Sequence, residues 1–377
     1  MQIDKFEMER MQCLYENQVE YNLSESGVQP LRIEELLDEH GSLERFLSQE
    51  LWYPESNGSE LLRQRIASFY PDCTPENVTV TNGGSEANYV TLWTLLEKGE
   101  RLACMIPNYM QAWGLGHAYA DGVDVFHLVL SEEDGKLRWA LDLEELERAV
   151  TDKTRVILVT NPNNPTGAVL TEAVMESVLK VARRANAWLM VDEIYRGAEV
   201  EGSISPTFWG RYDKVIVTSG LSKAFALPGL RLGWVVAPPE LIEKIWIGHD
   251  YLTLTPNMVG DHLGTIALET SRREALLART RGIIRKNLPF LEEWIEDHDD
   301  VLRYARPKAG AIAYFEYDLP IRSSELVDTL RREQSVLIVP GEHFGLSKGF
   351  RVGFGYNIEK TLKGLARLDV LLQRLSC

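Results

Sequence analysis

A lysine placed directly after a buried apolar strand is badly placed for the surface and well placed for imine chemistry. Lys223 follows the run Val215-Ile216-Val217-Thr218-Ser219 and has Ser222 as its neighbour. An amine whose pKa is depressed by its surroundings condenses with an aldehyde. Eight residues on, Arg231 stands in Gly229-Leu230-Arg231-Leu232-Gly233, where a planar guanidinium can clamp a phosphate beside the Ser222 hydroxyl. Asp192 ends a second apolar run, Trp188-Leu189-Met190-Val191. A carboxylate there needs a charged or donating partner, and a protonated ring nitrogen would be one. Tyr195, three residues later, can donate to a phenolic oxygen on the same ring.

Three further strand ends carry candidate ligand contacts. Asn161-Pro162-Asn163-Asn164-Pro165-Thr166-Gly167 has two prolines and a glycine, a rigid turn that would hold the Asn164 side chain toward a ligand. Gly83-Gly84-Ser85 lies between a strand and the start of a helix, where backbone N–H groups and the helix dipole favour a phosphate. Tyr109, after Pro107-Asn108, can stack on a planar ring. Taken singly, each has an ordinary explanation: a capping Asp, a common glycine turn, a core aromatic. Their convergence at strand ends is what carries weight, because open α/β sheets bind ligands there.

The elements that must position them are near-continuous apolar strands separated by helices. Val78–Thr81, Arg101–Ile106, Val123–Leu130, Arg155–Thr160, Trp188–Val191, Lys214–Thr218 and Leu232–Val236 read as strands, which predicts a mostly parallel sheet covered on both faces. Asn57-Gly58 marks a turn before a helix over Glu60–Tyr70, and a short N-terminal helix is expected within residues 4–20. After about residue 260 come charged helices over Ser271–Trp294. Strands at Ile312–Tyr317, Val336–Val339 and Phe350–Phe354 and a last amphipathic helix from Ile358 follow. The fold class expected is α/β, with a large domain over 46–265. A smaller α+β domain would be formed by 266–377 together with an N-terminal arm, 1–45.

Composition narrows the partners. The 377 residues are 45% hydrophobic and 25% charged, with a formal net charge of −16, which argues against a nucleic-acid surface. The four cysteines (Cys13, Cys73, Cys104, Cys377) show no metal-like spacing and read as free thiols of a reducing, cytoplasmic compartment. No metal site, signal core or membrane-spanning run is expected.

In this order, the seven-residue turn, Asp192-Glu193-Ile194-Tyr195, Ser219-Gly220-Leu221-Ser222-Lys223 and Arg231 resemble the class I/II aminotransferases of pyridoxal 5′-phosphate (PLP) fold type I. The resemblance runs from about Leu23 to Phe354. It implies that Lys223 carries PLP as an imine and then moves a proton at the substrate Cα. It also implies that Asp192 pairs with the pyridine nitrogen, that Tyr195 and Asn164 bond the ring oxygen and that Tyr109 stacks on the ring. Gly84, Ser85, Ser222 and Arg231 would bind the phosphate. Tyr53, in Trp52-Tyr53-Pro54, matches a tyrosine that reaches the phosphate of a neighbouring subunit, and Arg351 matches the arginine that binds the substrate α-carboxylate. Homodimers with shared active sites are implied as well.

The reaction implied by default is transamination of an amino acid with a 2-oxo acid. A second resemblance points elsewhere. The stretch Leu221–Arg231 with Asp250-Tyr251-Leu252-Thr253-Leu254 looks like the PLP enzymes that cyclise hydroxylated arginines, a capreomycidine-synthase-like group with oxidase relatives. The N-terminal helix brings Glu7, Glu9 and Glu16, which could bind a guanidinium. Substrate contacts are therefore expected from Arg351, Asn164, Gly27, Glu9, Glu16 and Gln29, the last unable to titrate. A PLP-sensing transcription regulator is excluded by the acidic charge and the absence of a separate DNA-binding segment before the pattern. A chain that had lost catalysis would be expected to lack Lys223 or Asp192.

Overall fold

The computed structural model describes residues 3–37 and 42–376; Met1, Gln2 and Cys377 lie outside them. Its centre is an eight-stranded sheet whose strands, taken across the sheet, begin at Val78, Gly233, Val215, Trp188, Thr154, Arg101, Val123 and Lys136. The five from Val215 to Val123 are mutually parallel. Gly233–Val236 runs antiparallel to both its neighbours, and Lys136–Leu141 closes the far edge as a hairpin with Val123–Glu133. The expected sheet is therefore present. The period of two along each strand divides its side chains between two cores: Ala103 and Met105 face one, Leu102, Cys104 and Ile106 the other.

Because the five strands run the same way, their C-terminal ends share one edge. Thr160 is in register with Asp192, and Asp192 with Thr218. The segments that leave this edge carry Tyr109, Asn164, Tyr195 and Lys223.

The C-terminal part holds a four-stranded antiparallel sheet in the order Leu302–Tyr304, Ile312–Tyr317, Phe350–Gly353, Val339–Pro340. Here the structure departs from the reading of Val336–Val339 as one strand. Val336–Leu337 pairs in parallel with Tyr21–Asn22, while Val339–Pro340 occupies the edge of the antiparallel sheet, a position where a proline without an N–H is tolerated. The charged helical region is a single helix, Thr270–Glu296, with Pro289 inside it. The N-terminal helix is Glu7–Tyr15, seated by Met8 against Tyr314, Val339 and Phe344. Among the described residues no helix is long and apolar enough to cross a membrane.

Candidate active site

A cavity of about 320 Å³ opens at the C-terminal edge of the parallel strands. Its lining includes Gly84, Ser85, Tyr109, Asn164, Asp192, Tyr195, Ser222, Lys223 and Arg231 from the sheet side. These residues come from five separate strand ends, which is why their convergence in one order announced the site more than any single local pattern.

One end of the cavity is a cradle for an anion. Gly83 has φ +102° and precedes the helix Gly84–Leu95. A Cβ on Gly83 would lie 2.6 Å from Arg231 Nη2, so the guanidinium packs directly over the backbone of the turn. Gly233, on the strand that leads away from Arg231, is just as constrained, since a Cβ there would meet the Gly83 carbonyl carbon at 2.4 Å. Glycine at both positions lets the two segments touch, and the start of the helix then faces the arginine across a gap lined by Ser85 and Ser222.

The floor is Asp192 and Lys223. Burial raises the Asp192 pKa, opposed by the Asn88 amide and the Ile194 N–H. Those groups donate to its two oxygens at 3.0 Å each. Asn88 is itself fixed, its Oδ1 accepting from the Thr218 hydroxyl at 2.6 Å. Asn88 is not among the residues the sequence pointed to. Its signal was a polar residue one turn after Gly84 on a helix face that must pack on the sheet. Burial lowers the Lys223 pKa, with Glu25 pulling it back up and Arg351 and Arg231 pushing it further down. Burial also pushes the Tyr195 hydroxyl up to about 12, against the Arg351 guanidinium and the Ser26 side chain.

Arg351 is 1% exposed. Its Nη1 donates to Asn164 Oδ1 at 2.8 Å, and its Nη2 donates to the Ser24 carbonyl, while the ring of Phe344 lies 5.1 Å from its Cζ. The Nε of Arg351 and the hydroxyl of Tyr195 are buried polar atoms without a hydrogen-bond partner; Tyr195 lines the cavity, where such an atom calls for a ligand, and Arg351 stands behind the lining residue Asn164. The turn that carries Asn164 is tied down by its neighbour: Asn163 donates to the Pro107 carbonyl at 3.0 Å and accepts from the Thr166 hydroxyl at 2.7 Å.

The opposite wall is acidic. Met8, Glu9, Gln12, Cys13 and Glu16 of the N-terminal helix line it, with Glu25 and Ser26. Glu9 accepts from the Tyr109 hydroxyl at 2.8 Å, the Phe6 ring meets the Tyr109 ring edge-on at 4.8 Å, and Gln12 donates to the Ser24 carbonyl at 3.0 Å. Burial and the like charges of Glu25 and Glu9 raise the Glu16 pKa. Glu25 was not singled out in the sequence, although it acts on Lys223, Arg351, Tyr195 and Glu16.

Five expected residues do not line the cavity: Arg351, which reaches it through Asn164, and four others. Glu7 turns away and pairs with Lys5 at 2.7 Å. Gln29 is exposed, with its carbonyl held by Arg279 at 2.8 Å, and does not line the cavity; the chain has already turned outward after Val28 bridges to Gly355. Gly27 is buried behind the wall, where a Cβ would lie 4.0 Å from Lys223 Cδ. Tyr53 is 68% exposed and outside this cavity.

The donor set fits a phosphorylated pyridine aldehyde. There is an anion cradle at one end, a carboxylate on the floor where a ring nitrogen would need one, a lysine whose pKa burial lowers, and an unsatisfied phenol. Fold and site together define a PLP-dependent enzyme of fold type I. The chain belongs to the aminotransferases of class I and II, whose family model matches residues 43–368. It is 28% identical to capreomycidine synthase of Streptomyces vinaceus, over 83% of this chain and 79% of that one. It is 30% identical to an aspartate/prephenate aminotransferase of Thermus thermophilus, over 80% and 77%. A PLP-dependent aminotransferase of Streptococcus suis superposes over 100% of this chain and 99% of its own, with a TM-score of 0.89 at 29% identity.

Proposed function

We propose that the protein is an aminotransferase for an amino acid with a cationic side chain, using PLP held by Lys223. The observation that carries this reading is a cavity with two unlike sides: Asn164, which accepts from the buried Arg351, lines one, and Glu9, Glu16 and Glu25 line the other, with no salt bridge to any of the three among the described residues. PLP supplies an aldehyde for the substrate amine and a ring that takes up the charge left when a Cα proton departs. In this assignment Gly84, Ser85, Ser222 and Arg231 hold its phosphate and Tyr109 packs on its ring. Asp192 keeps a proton on the ring nitrogen, and Tyr195 and Asn164 bond the ring oxygen.

The chain's own groups then do the proton work. Arg351 binds the substrate α-carboxylate, which satisfies its free Nε and relieves a charge that burial disfavours. The amine of Lys223, whose charged form burial disfavours, takes the proton from Cα and returns it. Glu9, Glu16 and Glu25 receive the side-chain cation, which offsets the burial and, after it, the like charges of Glu25 and Glu9 that raise the Glu16 pKa. The Glu7–Tyr15 helix covers the cavity and excludes water.

The same acidic wall, with the likeness to capreomycidine synthase, favours a second reading, cyclisation, elimination or oxidation of arginine or hydroxyarginine. The PLP form mixed with single amino acids, without any 2-oxo acid, separates the two. Stoichiometric conversion to the amine form of the cofactor, with one equivalent of 2-oxo acid and fastest for lysine or arginine, is expected. Repeated turnover of a guanidine substrate with the aldehyde form retained would establish the second reading instead. Fastest conversion by aspartate would sink the cationic assignment.

A homodimer belongs to the same proposal. Leu51, Trp52 and Tyr53 are 90%, 73% and 68% exposed in succession, an apolar run that a second copy would cover and that would carry Tyr53 to the neighbouring phosphate. We further assign residues 46–265 to a cofactor-binding domain and 1–45 with 266–377 to a smaller one. The thiols of Cys13, Cys73 and Cys104 are free, which supports a place in the cytoplasm.

A further inference from the structure

The two halves of the anion cradle are far apart in sequence, and a third segment ties them together. Asn82 immediately precedes the glycine turn. Its Oδ1 accepts from the Asn257 N–H at 2.7 Å, and its Nδ2 donates to the Thr253 hydroxyl at 2.9 Å and the Thr255 carbonyl at 3.2 Å. Asn257 reaches the other half, its Nδ2 donating to the carbonyls of Leu230 at 3.0 Å and Arg231 at 3.2 Å. The same segment grips the helix start. Thr253 donates to Glu86 Oε1 at 2.6 Å, while the other oxygen of Glu86 accepts from the Asn82 N–H.

Arg231 needs such support. Its φ of +45° lies in the left-handed region, which disfavours a residue with a Cβ, and this backbone setting is what turns its guanidinium over Gly83. The amide of Asn257 holds the two carbonyls on either side of that strained link. Resting on the assignment of this cradle to the cofactor phosphate, we infer that Asn257, with Asn82, is a positioning residue for phosphate binding: it sets Arg231 against the glycine turn without touching the cofactor.

The test compares PLP with pyridoxal, which has the aldehyde and ring but no phosphate. Both are titrated into the full-length chain stripped of cofactor, and the dissociation constants are read from cofactor absorbance. The variant is Asn257→Ser, because serine caps the helix Met258–Ala267 as well as asparagine does but its short hydroxyl cannot reach both carbonyls. The expected result is PLP affinity weakened about tenfold, as for two lost hydrogen bonds, with pyridoxal affinity unchanged. Asn82→Ala cuts the tie from the other side and is expected to give the same phosphate-selective loss. Unchanged PLP affinity in both variants, or equal weakening toward both ligands, would overturn the inference. A wild-type chain that binds PLP no better than pyridoxal would instead overturn the assignment of the cradle itself.

Discussion

Lys223 and Asp192 are both pushed by burial toward their neutral forms, and the direction of each shift has a measurable consequence. Burial holds the folded-state pKa of Lys223 below the ordinary lysine value, so the unfolded chain binds more protons between the two values and stability rises with pH across that window. Without cofactor, Lys223→Met is expected to melt higher than wild type at neutral pH, and the gap should narrow as pH climbs toward the ordinary lysine value; parallel melting curves from pH 7 upward check this. In the loaded enzyme, loss of the amine by Lys223→Ala is expected to cut turnover by about 10²–10⁴-fold, as for other general acid–base groups. Asn88 acts on Asp192 in the opposite sense to burial. Asn88→Ala should therefore raise the Asp192 pKa further and move the acid limb of the turnover profile to higher pH. The lysine and aspartate were readable because each stands at the end of an apolar strand, and Arg231 because it falls eight residues after the lysine between two glycines. Asn88 and Glu25 were not, since one polar residue in a helix or an irregular stretch has no pattern until the fold sets it against Asp192 or Lys223.

At the scale of elements, the central strands were legible because burial on both faces leaves unbroken apolar runs. The edge strand Lys136–Leu141 passed unnoticed: it alternates charged and apolar residues and draws its identity from pairing with Val123–Glu133. The break between Val336–Leu337 and Val339–Pro340 was hidden for a related reason, since the two halves serve different sheets. The Glu7–Tyr15 helix was expected, but its place over the cavity depends on Met8 in the small-sheet core and Gln12 on Ser24. Under the proposed function this helix is a substrate element and not a cofactor element. Removing residues 1–16 is expected to leave PLP affinity within about twofold, while KM for a cationic donor rises about tenfold, the scale of one or two lost charge-assisted contacts. Steady-state kinetics with a cationic and a neutral donor, beside a PLP titration, measure both.

For the whole molecule, the sheet gives a rigid edge on which groups from five strand ends meet, while the proposed function leaves specificity to segments brought from elsewhere. That division lets one scaffold serve several chemistries, and it explains why the family was readable from the chain and the donor was not. The exposed run Leu51-Trp52-Tyr53 adds an expectation about assembly. Sedimentation should report a dimer at micromolar concentration, and Trp52→Glu should shift it toward monomer with a parallel loss of PLP affinity. The central claim, that Lys223 is the residue that takes the cofactor aldehyde, is tested most directly by reducing the PLP-loaded protein with borohydride, digesting it and mapping the labelled peptide by mass spectrometry. The account predicts a single pyridoxyl label on the peptide that contains Lys223, absent in Lys223→Ala; a label on another lysine, or none, would contradict it.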